Sequence, residues 1–276
     1  MSVLRQRPPT IAFLLGKPVR ADTIFPDIFE RLSSLPVKLS VHLPIKEPLP
    51  ATLREADLVV QRGLDGDDLT ALRWIEDAGV RCCNPIDATA MLGDRLVTLD
   101  TLSAAGLPVP LTTPLETWPE VVSLADSQSI VVKAVDGRVG RSVGVLIAEA
   151  GQLVSQPPFA GPYIVQEFIR NDGRVHKAYV AGQQARGMMK RSSPDAAVSQ
   201  PGLSTSLAPE LVELALQAGA ALGLDIYGVD FLYGPDPVII DVNPFPGFRG
   251  VPDAADLIST HLARLATDRM DAARLP

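Results

Sequence analysis

The first strong pattern in the chain is an apolar run, TIAFLLG at 10–16, which ends on a glycine and reads as a buried strand. Residues 37–42 alternate in the manner of a second strand, 57–61 (DLVVQ) form a third, and 80–83 a short fourth. Between them, 26–34 make a short helical stretch and 67–77 carry apolar residues at helical spacing. Strands and helices in this alternation predict a parallel sheet built from βαβ units. A small α/β domain is therefore placed at 1–88.

The pattern then changes. Residues 85–110 read as mostly helical, and Gly106 followed by Leu-Pro-Val-Pro stops the helix and begins an extended exit. A short helix is expected at 117–127. From residue 129 the texture is strand-rich, with strands at 130–135, 143–148 and 163–168, and an antiparallel pair at 174–181 and 184–190 turning around Gly182. Residues 192–207 are rich in Ser, Pro, Ala and Gly and predict a mobile loop. An amphipathic helix at 209–222 starts on Pro209 and stops at Gly223. Two strand-like runs follow, GVDFLY at 228–233 and IIDVNPFPGFRG at 239–250, and a helix at 253–267 closes the pattern.

Composition narrows the classes. With 276 residues, 46% of them hydrophobic, the chain can bury the core of one large domain or two small ones. No apolar run approaches the roughly 18–20 residues of a membrane span, and none near the start has the form of a signal peptide, so the expected location is cytoplasmic. A net charge of -7 argues against a general nucleic-acid binder. Cys82 and Cys83 are adjacent and lack a CxxC spacing, so neither a disulfide nor structural zinc is expected.

The last two strand-like runs carry the clearest chemistry. Residues two apart on a strand share a face, so Asp241 and Asn243 present two oxygen donors together, and hairpin pairing would bring Asp230 to them. Acids inside apolar runs are costly unless paired or metal-bound, and three hard oxygen donors suit Mg²⁺. Earlier, Lys133 stands on a strand before a loop containing Gly137 and Gly140, where backbone N–H groups can approach an anion. The spacing is not that of a Walker A motif. Gln166, Glu167, Phe168 and Ile169 are either a buried strand with a polar edge or a hinge whose backbone bonds an adenine. Arg174, Lys177, Arg186, Lys190 and Arg191 form a basic series, either a solvated strand edge or a surface for phosphates or an anionic substrate. Odd spacing sends Arg174 and Lys177 to opposite faces of a regular strand, and Lys190 and Arg191 likewise.

In this order, from about residue 84 onward, these motifs resemble the ATP-grasp superfamily. The resemblance implies an α/β and α+β architecture. The small N-terminal parallel α/β domain at 1–88 would precede an ATP-grasp domain at 89–276, whose two α+β lobes, about 89–165 and 166–276, clasp ATP. It implies that Lys133 and the loop of Gly137 and Gly140 cover the ATP phosphates, and that Gln166, Glu167, Phe168 and Ile169 form the adenine hinge. Asp230, Asp241 and Asn243 would hold one or two Mg²⁺ ions, with Mn²⁺ as a substitute. Asp94-Arg95 stands where many members have Asp-Lys, so Arg95 keeps the charge at the phosphates but changes its geometry. Arg191, Arg174 and Lys177 are assigned to the transferring group or the acceptor.

Two branches of the superfamily are similar. Residues 176–182 (HKAYVAG) and 241–251 (DVNPFPGFRGV) resemble inositol trisphosphate 5/6-kinases, although Arg138 and Arg141 replace the histidines that such kinases carry in the glycine loop. RimK-type ligases share the overall plan and join a carboxylate to an amine. The reading adopted is the ligase, acting on small-molecule acceptors, with a polyol-phosphate kinase as the alternative and an inactive nucleotide-binding protein behind it. Neither nucleic acid nor membrane is an expected partner, and a homodimer through the first domain is compatible with the sequence.

Overall fold

The computed structural model describes residues 7–137, 144–153, 155–191 and 202–272. Strands β1 (Thr10–Leu15), β2 (Lys38–His42), β3 (Leu58–Arg62) and β4 (Cys82–Cys83) form a parallel sheet in the order β2-β1-β3-β4. The unbroken apolar run of β1 has a direct cause. Ile11, Phe13 and Leu15 enter one core while Ala12 and Leu14 enter another, so both faces are covered. Helix α1 (Phe25–Ser33) lies on the first side.

The helix expected at 67–77 is two shorter ones, α2 (Gly66–Thr70) and α3 (Arg73–Asp77). At the break, the N–H groups of Leu72 and Ile75 bond three residues back, to Leu69 and Leu72, and tighten the chain. That spacing turns Leu69, Leu72 and Ile75 together into the second core.

Helices α4 (Ile86–Met91) and α5 (Arg95–Ala104) lead into an antiparallel sheet of β5 (Thr112–Leu115), β6 (Ile130–Ala134), β7 (Val145–Ala148) and β8 (Tyr163–Glu167), ordered β5-β8-β6-β7. Helix α6 (Trp118–Ala125) packs its Trp118 and Val121 on this sheet. Strand β5 was not expected; its TTPL sequence has a proline, which an edge strand tolerates.

The third sheet, also antiparallel, is ordered β11-β10-β9-β12-β13. It consists of β9 (Arg174–Ala181), β10 (Gln184–Arg191), β11 (Leu203–Thr205), β12 (Ile226–Tyr233) and β13 (Pro237–Pro244), with α7 (Pro209–Leu222) before β12 and α8 (Ala254–Ala272) at the end. The loop expected at 192–207 therefore needs correction. Leu203–Thr205 pair with β10, while 192–201 lie outside the described residues. Helix α7 begins on Pro209 and stops at Gly223, whose φ of 68° gives the left-handed cap.

Alternation divides this sheet between two cores. Ala178, Val180, Val229 and Phe231 meet α5 and α7 through Leu102, Leu211 and Ala215. Tyr179, Ala181 and Ile226 face the other way and share a core with Phe13, Ile28 and residues of α8. Asn84 ties the parallel sheet to this one. Its fully buried Oδ1 accepts from the N–H of Asp225 (2.8 Å) and of Ile226 (2.7 Å), and its Nδ2 donates to the Ile226 carbonyl at 2.6 Å. Asn84→Ala orphans the N–H groups of Asp225 and Ile226, while the Ile226 carbonyl keeps the Phe245 N–H at 2.9 Å, and it is expected to destabilise the fold by about 3 kcal/mol, read as a lowered urea midpoint. Among the described residues, no helix is long and apolar enough to cross a membrane.

Candidate active site

The site is built on the β12–β13 hairpin. Asp230 pairs with Asp241 and Phe231 with Ile239, which leaves Ile240 as the extra residue of a bulge. The bulge lets Ile239 and Val242, three residues apart, both reach the core of α5 and α7. It also sets Asp241 directly across from Asp230 and Asn243 across from Gly228. The Asn243 Nδ2 donates to Asp241 Oδ2 at 3.0 Å, and its Oδ1 is the amide's remaining acceptor.

Asp230 also lies opposite Lys177 of β9, and the Lys177 ammonium donates to its carboxylate. Both residues are only 8% exposed. Lys177, Asp230, Asp241 and Asn243 thus make a polar row across three strands, away from the core of α5 and α7. One cation already sits on this row. Among the described residues, no group of three or more His, Cys, Asp or Glu could hold a metal ion. Any metal here rests on two carboxylates and an amide oxygen, an all-oxygen set that fits Mg²⁺.

Lys133 approaches from the second sheet. Val132 and Ala134 turn into the core of α6, so Lys133 projects the opposite way, and its Nζ donates to the Ile240 carbonyl at 3.0 Å. The bulge frees that carbonyl from the ladder. Asp94 caps α5 by accepting from Leu96 and Val97, and places Arg95 at its first turn. The Arg95 guanidinium donates to the carbonyls of Ala134 (2.8 Å) and Asp136 (3.1 Å), so it is held at the end of β6. Gly137 donates its N–H to the Gly93 carbonyl at 2.8 Å, where a Cβ would fall 3.0 Å from the Leu92 carbonyl oxygen. Gly140 lies outside the described residues.

The other predicted residues are spread more widely. Gln166 is buried, with its Nε2 on Thr112 Oγ1 at 2.9 Å. The Glu167 carboxylate accepts from the Leu111 N–H at 3.3 Å, Phe168 is 40% exposed, and the Ile169 carbonyl accepts from Asn171 Nδ2 at 2.9 Å. The structure does not bring Arg174 and Arg191 to Lys177. They face each other at the open end of the β9–β10 pair, and alternation puts them on the face away from Lys177. Arg174 instead reaches the Asp172 carboxylate at 3.9 Å.

A cleft of about 1110 Å³ runs along Arg62, Gly93, Arg95, Gly137, Asp241 and Asn243. Between Lys133, Ile164 and Asp241 the free space is only about 20 Å³. Arg62 in the larger cleft was missed. It ends β3, lies over the rings of Phe25 (5.3 Å) and Phe245 (5.9 Å), and donates its Nε to the Phe245 carbonyl at 2.9 Å. Phe245 has a φ of 35°, a left-handed backbone that costs a non-glycine residue roughly 1 kcal/mol. The available signal was an arginine at the end of a buried parallel strand, followed by glycine.

Two antiparallel sheets, a lysine strand on one facing a carboxylate hairpin on the other, are the arrangement of the ATP-grasp class. Residues 94–263 match the family model of the RimK-like ATP-grasp domain. The chain belongs to the RimK-like ATP-grasp family, whose members use ATP and Mg²⁺. A probable alpha-L-glutamate ligase of Sodalis glossinidius is 29% identical over 203 residues, 67% of this chain and 68% of that protein. The chain thus spans about two thirds of this curated relative. The fold is similar to that of a RimK domain ATP-grasp protein from Sphaerobacter thermophilus, with a TM-score of 0.70 at 19% identity over 93% of this chain and 99% of that one. It is also similar to the ATP-grasp ligase PsnB solved with a minimal precursor, Mg and ADP, with a TM-score of 0.68 at 20% identity over 94% and 98%.

Proposed function

We propose that the protein is a carboxylate–amine ligase that works through an acyl phosphate. The observation that carries this reading is the row of Asp230, Asp241 and Asn243 facing the Lys133 strand beside Arg95. Such a site offers charge and position, which is what phosphoryl transfer to a bound carboxylate needs. A substrate carboxylate oxygen attacks the γ-phosphorus and ADP leaves. The amine nitrogen then attacks the acyl carbon, loses a proton, and expels phosphate carrying the former carboxylate oxygen.

Lys133 would move from the Ile240 carbonyl to the phosphates, with Arg95 supporting the same region. The backbone of Gln166, Glu167, Phe168 and Ile169 would meet adenine. Asp230, Asp241 and Asn243 would hold one or two Mg²⁺, or Mn²⁺ in its place, which when bound offsets phosphate charge. Lys177 would hold Asp230 in place until that ion arrives. Arg191 and Arg174 would meet the acceptor only from the far side of the sheet, beyond Lys177. The named relatives make an acidic amino acid a reasonable substrate. The kinase likeness rests on two short stretches, 176–182 and 241–251, whereas the family match covers 94–263, and the ligase reading follows the longer match.

Turnover of Mg-ATP against pairs of amino acids and against inositol phosphates tests the reading. The expected result is ADP, free phosphate and amide in equal amounts, and only with a carboxylate and an amine both present. A phosphorylated polyol without free phosphate would select the kinase instead.

A further inference from the structure

The strand order β2-β1-β3-β4 creates a switch point between β1 and β3, since the chain leaves them in opposite directions along the sheet. The crevice at the carboxyl ends of such strands is where open parallel sheets bind ligands. Here the two strand ends approach closely, because Gly16 has no side chain. The Gly16 N–H donates to the Arg62 carbonyl at 3.0 Å, and a Cβ on Gly16 would fall 1.8 Å from the Gly63 carbonyl oxygen. Lys17 and Arg62 emerge from these ends into the cleft that holds Asp241 and Asn243.

Arg62 is half-buried, and among the described residues its guanidinium meets a carbonyl and two rings but no carboxylate. Asp65 and Asp67 line the same cleft, yet neither pairs with it. Burial, and then the nearby Arg249, push its pKa below the ordinary arginine value. A half-buried guanidinium that opens on a cleft suits a carboxylate, which its planar fork can bind in bidentate fashion. Its position is also fixed relative to the polar row, because Nε is bonded to Phe245, two residues beyond Asn243. Gly247 passes its Nη2 without a side chain.

We infer that Arg62, with Lys17 beside it, holds the non-reacting α-carboxylate of the amine substrate, so that this substrate is a free amino acid and not a simple amine. The inference rests on the ligase reading. It makes Arg62 a specificity residue contributed by the N-terminal sheet to chemistry performed on the hairpin.

The test offers L-amino acids in pairs with Mg-ATP, each amine partner supplied both as the free acid and as its α-carboxamide. The wild-type protein should prefer the free acid by about 100-fold or more in kcat/KM, because a buried charge-assisted pair rejects the neutral analogue. In Arg62→Met the preference should fall to within roughly 5-fold while the KM for ATP stays within about 3-fold. Arg62→Lys keeps the charge but loses the planar fork and should retain a preference of about 10-fold, which covers a poorly folding Met variant. Equal losses on acid and carboxamide would make Arg62 a scaffold for the Phe245 loop and overturn the assignment. Wild-type use of carboxamides as readily as acids would overturn it too, while leaving the ligase reading intact. Absence of amide from every pair would remove the ligase reading, and this inference with it.

Discussion

Asp241→Asn is expected to yield a folded protein that turns over ATP at least about 1000-fold more slowly than the wild type. The reasoning starts from shape. Asparagine fills the same volume, its own Oδ1 can still accept from Asn243 Nδ2, and losing one charge relieves repulsion with Asp230 directly opposite. Stability should therefore change by no more than about 0.5 kcal/mol. What is lost is a hard anionic donor at the position proposed for charge neutralisation, worth several kcal/mol in such sites. Steady-state ADP release beside a thermal melt checks both halves. Activity above a tenth of wild type in a normally folded variant would remove Asp241 from the proposed site.

Lys177→Met should have the largest effect on stability. The Lys177 ammonium sits on the Asp230 carboxylate with both groups nearly inaccessible, and Asp241 lies on the other side of Asp230. Removing the cation takes the Lys177 partner from the buried Asp230 carboxylate and leaves it facing the partly buried Asp241, and breaking a buried ion pair costs about 3–5 kcal/mol. Adding Asp230→Asn in the same chain should recover much of it, because the stranded charge is then gone. Millimolar Mg²⁺ should raise the urea midpoint of Lys177→Met more than that of the wild type, since the ion would take the vacated place on Asp230. No difference between the two responses would mean that Asp230 does not contribute to a cation site.

Much of the architecture was legible because local signals agreed. Pro209 and Gly223 bracket α7, and apolar, strand-like runs mark β12 and β13. The juxtaposition of Asp230, Asp241 and Asn243 follows from the two-residue repeat of a strand and one hairpin. Strands β5 and β11 were not legible, since TTPL and LST have little apolar content and are drawn into sheets by β8 and β10. The break between α2 and α3 was hidden because Leu69, Leu72 and Ile75 suit either one helix or two tighter turns. Residues joined over long separations were the hardest. Lys177 meets Asp230 53 positions away, and Arg62 meets Phe245 183 positions away, contacts that no local spacing encodes. The basic series shows the converse. Its charges cluster in sequence, yet strand alternation sends Arg174 and Arg191 to one face and Lys177 to the other.

The most direct test of the account follows an oxygen atom. The acyl-donor substrate is labelled with ¹⁸O in its reacting carboxylate, and the phosphate released during amide formation with Mg-ATP is analysed by mass spectrometry. An acyl-phosphate ligase must deliver one labelled oxygen to each phosphate, because the carboxylate oxygen that attacked the γ-phosphorus leaves with it. Unlabelled phosphate, or pyrophosphate and AMP in place of phosphate and ADP, would contradict the account.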